Sequence, residues 1–306
     1  MPEEADWDIV TGVGLTALWA AGVRAIESRH PAPLVTDPYA AAFVRAAASK
    51  LPSPIPTTPE EAGRDPSFPW LGLATYIGVR SRFFDAFFGA AGEAGIRQVV
   101  ILGAGLDSRA FRLDCPPGTA VYEVDAPLVI AFKDNVLGEQ DAVPHCARRT
   151  VARDLREDWP PALRQAGFNP ASPTAWLAEG LFPYLPDDEK RALLDRTHEL
   201  SAAGSRLALE HFDITKFSGT VENAEVDELV SRVDEDIAAT WASAQEHDPV
   251  NWLNQHGWAV SATPVITVAG VYGRSLDDVP TEVKSLSLLI TASRDASDSH
   301  DPADGK

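Results

Sequence analysis

The chain of 306 residues has little cysteine, a deficit of positive charge and no long apolar run. Its two cysteines, Cys115 and Cys146, sit in loop-like surroundings at a spacing that suits neither a zinc site nor a disulfide framework. Both are therefore expected as reduced thiols of a cytoplasmic protein, and no metal site is expected. Lysine and arginine number 26 against 45 aspartates and glutamates, a formal net charge of -19. Non-specific binders of nucleic acid or of anionic membranes present basic faces, so this balance argues against both partners and favours a small molecule. No apolar run reaches the roughly 18 residues of a membrane span. The stretch Pro2-Glu3-Glu4-Ala5-Asp6 is acidic where a targeting segment is basic.

What is present is an ordinary globular composition, 45% hydrophobic and 23% charged, in a chain long enough to bury a sizeable core. Gly12 to Glu27 is apolar and rich in small residues, which predicts a largely buried helix with Arg24 and Glu27 facing outward, a cavity being the alternative for Arg24. Thr36-Asp37-Pro38-Tyr39 is a helix-start signal, with a second helix expected from about Tyr39 to Ser49. Leu51 to Pro69 is studded with prolines and reads as a loop covering a site. From Trp70 to about Ala94, the spacing of Trp70, Leu73, Ile77, Phe84 and Phe87 or Phe88 predicts a strongly amphipathic helix, interrupted by Arg80 and Arg82.

From Arg97 onward strand and helix alternate. Strands are expected near 97–102, 119–124, 149–152, 174–178 and 205–211, and helices at about 107–113, 127–138, 157–166 and 187–203. Residues 215–254 read as an acidic helical cap inserted before a last pair of strands, Trp258 to Pro264 and Leu286 to Ala292, expected as an antiparallel edge hairpin. The predicted fold is α/β, a doubly wound, mostly parallel seven-stranded sheet in a single domain through residue 293. Its parts are a helical N-terminal region at about 10–94, a sheet core at about 95–212 and 256–293, and the cap. A polar tail, 294–306, is expected to be disordered.

In such a fold ligands sit at the carboxyl ends of the strands, where the strand order reverses. Gly103, Ala104 and Gly105 follow the first predicted strand, Asp125 ends the second, Asp154 follows the third, Glu179 ends the fourth and His211 ends the fifth. A dinucleotide fingerprint needs a third glycine or alanine, and Ser108 stands there instead. Asp125 lies 125 − 103 = 22 residues beyond the first glycine, where a ribose-binding acid belongs in either reading. Asp154 and Glu179 discriminate: extra carboxylates repel a pyrophosphate, whereas an adenosine bearing an amino-acid and sulfonium tail uses acids to bind its amines. The residues lean to S-adenosylmethionine. No Walker-type lysine follows the glycines, which disfavours a triphosphate.

The chain resembles the leucine carboxyl methyltransferase type of class I S-adenosylmethionine-dependent methyltransferases, and within it the actinobacterial branch. The resemblance rests on Gly12-Val13-Gly14-Leu15-Thr16-Ala17, Asp37-Pro38-Tyr39-Ala40, Leu102-Gly103-Ala104-Gly105-Leu106-Asp107-Ser108-Arg109, Tyr122-Glu123-Val124-Asp125, Asp154-Leu155-Arg156, Trp176 through Pro186, and Tyr272-Gly273-Arg274. Pro183 departs from the bulky apolar residue usual in that type. The resemblance implies that Gly103 and Gly105 let the backbone approach the methionine part of the cofactor. It further implies Asp125 as acceptor for the ribose hydroxyls, Asp154 and Leu155 as readers of adenine, and Arg80 as partner of the cofactor carboxylate. Glu179 belongs near the cofactor's amino group, and Tyr184 is a candidate on the substrate side, with a core tyrosine whose hydroxyl is satisfied as the alternative.

The implied reaction is transfer of a methyl group to a carboxyl or hydroxyl oxygen of a small molecule. A carboxylate acceptor, with a pKa of about 4, needs no base, whereas a phenol near 10 does. His211 is then the base candidate for a hydroxyl. A nicotinamide-dependent oxidoreductase and a non-catalytic cofactor-binding protein of the same fold are the alternative readings.

Overall fold

The computed structural model describes residues 9–10, 12–212 and 248–295. Seven strands are formed: β1 (Gln98–Leu102), β2 (Ala120–Asp125), β3 (Ala147–Ala152), β4 (Thr174–Ala178), β5 (Arg206–Phe212), β6 (Trp258–Pro264) and β7 (Ser287–Arg294). They make one sheet in the order β3-β2-β1-β4-β5-β7-β6. The first five strands are parallel, and β7 runs antiparallel to both of its neighbours. Order reverses between β1 and β4, which opens a crevice at the carboxyl ends of those two strands. β1 and β4 are buried along their whole length, as continuous apolar strands covered on both faces should be.

The two faces carry separate apolar cores. Val99, Ile101, Val121, Ala175, Leu177 and Ala208 face one of them, and Val100, Leu102, Tyr122, Val124, Trp176, Leu207 and Leu209 the other. That split is the period-two alternation of the pleat.

The N-terminal helices α1 (Gly12–Glu27), α2 (Ala40–Ala47), α3 (Pro59–Ala62) and α4 (Trp70–Glu93) lie on the first face. The helix-start signal works through Asp37, whose Oδ1 accepts the Tyr39 and Ala40 N–H groups at 3.0 and 3.1 Å. The proline-rich stretch is no bare loop. It holds α3, capped by Thr58 and Glu61, and buries Ile55 and Phe68 against the helical layer.

The expectation that Glu27 faces outward is overturned, and Arg24 takes the inward alternative. Arg24 binds Asp37 at 3.0 Å and the Leu106 carbonyl at 2.7 Å. Glu27 is buried, accepting from the Leu34 N–H at 2.7 Å and from Arg274 at 3.1 Å. Both charges face partners distant in sequence, which helical periodicity cannot anticipate.

α4 is less one-sided than predicted. From Trp70 to Ser81 it is buried on most of its circumference, because α1 packs on it as well as the sheet. Gly78 permits that approach: a Cβ there would lie 2.8 Å from the Glu27 side chain.

After β1 come α5 (Arg109–Arg112), α6 (Pro127–Glu139), α7 (Pro160–Gln165) and α8 (Asp187–Glu199), the first, third and fourth shorter than predicted. Most of the predicted cap lies outside the described residues. Its last part enters α9 (Pro249–Gln255), where the Asp248 side chain caps the Val250 N–H. The final strand pair is antiparallel as expected, but β7 inserts between β5 and β6, leaving β6 alone at the edge. Their connection carries α10 (Val265–Val271) and α11 (Thr281–Leu286), neither of which was predicted. Among the described residues no helix is long and apolar enough to cross a membrane. The tail expected from residue 294 begins later, because Arg294 ends β7 and its guanidinium donates to the His198 and Ser201 carbonyls; residues from 296 lie outside the described residues.

Candidate active site

The chain leaves β1 through Gly103 and Gly105, at φ +62° and +43°, left-handed backbone that favours glycine. A Cβ on Gly103 would press on Leu181 at 3.0 Å. The Ala104 N–H donates to the Val124 carbonyl at 3.1 Å, tying the turn to the end of β2. Arg24 of α1 holds the far side of the turn through Leu106, and Ala17 lies 3.6 Å from where a Gly105 Cβ would be. The glycine turn is thus roofed by the first helix of the chain.

Asp125 sits directly under this turn. Its Oδ2 accepts the Gly105 N–H at 2.6 Å and its Oδ1 accepts the Ala126 N–H at 2.7 Å. Burial raises its pKa above the ordinary aspartate value, with those two amides opposing. Asp154, in the loop after β3, makes a two-pronged pair with Arg156, with the shortest contact 2.6 Å. Burial alone would raise its pKa, but the hydrogen bonds and charge of Arg156 lower it. Leu155 packs beside the second-face core, and its carbonyl accepts from Arg196 at 3.3 Å.

Across the crevice the acids are paired with guanidinium groups. Arg80 of α4 donates from Nε to Glu179 and from Nη1 to Glu210, each at 2.8 Å. Arg109 binds the second oxygen of Glu179 at 2.7 Å, Asp85 at 2.7 Å, and Asp107. Arg112 closes the chain of charges on Asp85 at 2.6 Å. Burial would push the Glu179 carboxyl up, yet Arg109 and Arg80 together hold it below the ordinary value. Asp107 is likewise opposed by burial but held at about 2 by Arg109, Lys133 and Arg112.

Glu210 is fully buried, accepts the Gly180 N–H at 3.0 Å and receives the Tyr76 hydroxyl. Burial dominates there and raises its pKa. Arg82, two residues from Arg80 on the same helix, points to solvent.

Of the residues singled out in the sequence, Gly103, Ala104, Gly105 and Asp125 form one side of the crevice, and Arg80 and Glu179 the other. Tyr184 lies in a short 3-10 helix, Phe182–Tyr184, and its hydroxyl bonds Thr16 of α1 within the electrostatic reach of Arg80 and Glu210. His211 is the last residue but one of β5, opposite Leu288 and one residue past Glu210. Alternation along the strand puts it on the second face, with Leu207 and Leu209, away from the acid–guanidinium network.

Sequence reading missed Glu210, Arg109 and Tyr76. A signal for Glu210 existed: Leu207-Ala208-Leu209-Glu210 ends an apolar strand in an acid just as Leu177-Ala178-Glu179 does. Arg109 closed a quoted motif but had no partner visible along the chain.

The leucine carboxyl methyltransferase family model matches residues 17–198. A protein of Saccharopolyspora erythraea described as "Putative S-adenosyl-L-methionine-dependent methyltransferase" is 42% identical over 96% of this chain and 100% of its own length. A protein of the same description from Rhodococcus jostii is 44% identical over 93% of this chain and 96% of its own. Among solved structures, a DUF574 family protein of Streptomyces avermitilis superposes with a TM-score of 0.50 at 18% identity, covering 83% of this chain and 97% of that one. A protein of Bordetella parapertussis described as a possible exported protein gives 0.51 at 13% identity, covering 97% and 100%. Those two likenesses concern the fold. The family model spans more than half of the chain and the relatives nearly all of it, so the chain belongs to the leucine carboxyl methyltransferase family of S-adenosylmethionine-dependent methyltransferases.

Proposed function

We propose that this enzyme moves the methyl group of S-adenosylmethionine to a carboxyl or hydroxyl oxygen of a small molecule. The observation that carries the reading is the donor set around the glycine turn: a backbone-held acid on one side, and an acid already matched to guanidinium groups on the other. The cofactor has complementary parts, with a ribose diol and a purine amine at one end and an ammonium and a carboxylate at the other. Asp125 accepts from the diol, since each of its oxygens carries only one hydrogen bond and keeps a lone pair. Asp154 and Leu155 read the adenine. Glu179 takes the ammonium and Arg80 the carboxylate, while Gly103, Ala104 and Gly105 leave room for the methionine chain. A dinucleotide pyrophosphate in the same crevice would face Asp107, Asp125, Glu179 and Glu210.

When bound, the cofactor supplies an electrophilic methyl group on a sulfonium. The chain's part is to hold the acceptor oxygen in line with it and to keep water out. The α1 roof contributes exclusion through the Arg24–Leu106 contact, and Tyr184 borders the acceptor side. A carboxylate acceptor, ionised at neutral pH, asks for no base, and that is the acceptor class favoured here. For a hydroxyl acceptor His211 is the base candidate. The proposal includes a single methyltransferase domain that takes in all seven strands, β7 through Arg294.

Thermal-shift titrations with S-adenosylmethionine, S-adenosylhomocysteine and the nicotinamide dinucleotides test the cofactor. The first two are expected to raise the melting temperature, and stabilisation by a dinucleotide alone would overturn the reading. A screen of carboxylic-acid and phenolic acceptors for S-adenosylhomocysteine release tests the reaction, with turnover expected for carboxylic acids.

A further inference from the structure

We propose that Glu210 is a positioning residue for Arg80, fixing its guanidinium at the crevice while Glu179 passes from Arg80 to the cofactor ammonium. In the proposed function Arg80 and Glu179 take the two ends of the cofactor's zwitterion, and the role of Glu210 rests on that reading. An ammonium arriving at Glu179 competes for the oxygen that holds the Arg80 Nε, 2.8 Å away. Arg80 then needs a second anchor that the ligand cannot displace.

The two acids on Arg80 are not equivalent. The Glu179 side chain is 12% exposed, and Arg109 holds its second oxygen at 2.7 Å, so it keeps its place without Arg80. Glu210 is 0% exposed, which puts it beyond a ligand's reach, and Arg80 is its one ion-pair partner among the described residues. An exchange therefore takes place at Glu179, and Glu210 stays on Arg80 throughout.

Glu210 is itself braced by three other parts of the chain. Its Oε2 accepts the Gly180 N–H at 3.0 Å beside the Arg80 Nη1 at 2.8 Å. Its Oε1 receives the Tyr76 hydroxyl, which has one proton to give and so accepts from the Ser287 hydroxyl at 2.9 Å. Tyr76 stands one turn before Arg80 on α4, its ring centroid 5.9 Å from the guanidinium carbon. Ser287 opens β7, and both hydroxyl residues are buried. The guanidinium lies along the loop after β4, where a Cβ on Gly180 would stand 3.5 Å from Nη1 and 3.6 Å from Nη2. Nη2 forms no hydrogen bond among the described residues, which leaves its two N–H donors for an incoming carboxylate. One edge of Arg80 is tied to buried structure and the other is open, so a ligand carboxylate meets donors whose ordering is already done.

The test is calorimetric titration of the full chain with S-adenosylhomocysteine and with methylthioadenosine, which carries the same adenosine but neither ammonium nor carboxylate. The unaltered chain is expected to prefer S-adenosylhomocysteine. Glu210→Met, close in size but without an acceptor, should weaken S-adenosylhomocysteine roughly tenfold or more and methylthioadenosine less than about twofold. Glu210→Gln keeps an oxygen that accepts from Arg80 and Gly180, and should rescue S-adenosylhomocysteine binding to within about threefold of the unaltered chain. Tyr76→Phe removes one hydroxyl and keeps the ring. It should show the same selective loss at about threefold, and it carries the test if Glu210→Met does not fold. Equal weakening of both ligands, or unchanged S-adenosylhomocysteine affinity in Glu210→Met and Tyr76→Phe, would overturn the positioning role and leave the cofactor reading standing. An unaltered chain that binds neither ligand would overturn the cofactor reading and the positioning role with it.

Discussion

The two sides of the crevice hold an acid in opposite ways. Asp125 is positioned by two backbone amides and forms no ion pair among the described residues, whereas Glu179 is gripped by two guanidinium groups. Asp125 ends β2 and Glu179 follows β4, the two strands that flank β1, and alternation puts both on the same face of the sheet, so the difference comes from what packs over them. The glycine turn offers its N–H groups to Asp125. The helices α4 and α5 bring Arg80 and Arg109 to Glu179. A ligand group arriving at Asp125 adds hydrogen bonds to lone pairs left open. A zwitterionic group arriving at Glu179 and Arg80 must instead exchange with ion pairs already made. One half of the site is a preformed acceptor, and the other is a charge network that the ligand has to enter.

The largest effect should follow from removing the cation that serves two acids. Arg80→Ala leaves Glu210, fully buried, and one oxygen of Glu179 without their guanidinium. Breaking one partner of a buried pair costs about 3–5 kcal/mol, so urea denaturation should report a loss of that size alongside weaker cofactor binding. A loss below about 1 kcal/mol would mean that the network is not a structural unit.

Asp125→Ala should cost less stability, about 1–3 kcal/mol for the Gly105 and Ala126 amides left without their acceptor, and lower S-adenosylhomocysteine affinity about 100-fold, measured by calorimetry. Unaltered affinity would place the ribose elsewhere.

Acid should separate the two halves more finely. Asp125 has a raised pKa in the folded chain, so its contribution to stability is full below the ordinary value of 3.8 and is lost as pH rises through the raised one. Glu179 has a lowered pKa, so its contribution is full above the ordinary value of 4.5 and is lost as pH falls through the lowered one. In unfolding measurements from pH 6 downward, Asp125→Asn should therefore steepen the acid loss of stability and Glu179→Gln should flatten it. The same direction of change in both variants would erase the distinction.

The smallest effect belongs to His211, which lies across the sheet from the network. His211→Ala should leave turnover of a carboxylic-acid acceptor within about twofold. A drop of the 100-fold order typical of a lost general base would require a path from the second face to the acceptor.

Much of this was written in short stretches of chain. The apolar runs of β1 to β5, the turn at Gly103 and Gly105, the acids at the strand ends and the helix bearing Arg80 follow from local periodicity and turn chemistry, which act over a few residues. The sequence by itself therefore determined the doubly wound sheet, the ligand edge and most of the acids on it. What it left open were choices made by contacts between distant segments. Arg80 meets partners 99 and 130 residues away. Arg24 and Glu27 turn inward because Asp37, Leu106 and Arg274 come to meet them. Glu210 rather than His211 joins the network because the pleat allots adjacent residues to opposite faces. Only the tertiary structure decided these, since the energy of a buried charge depends on what is packed against it rather than on its neighbours in the chain.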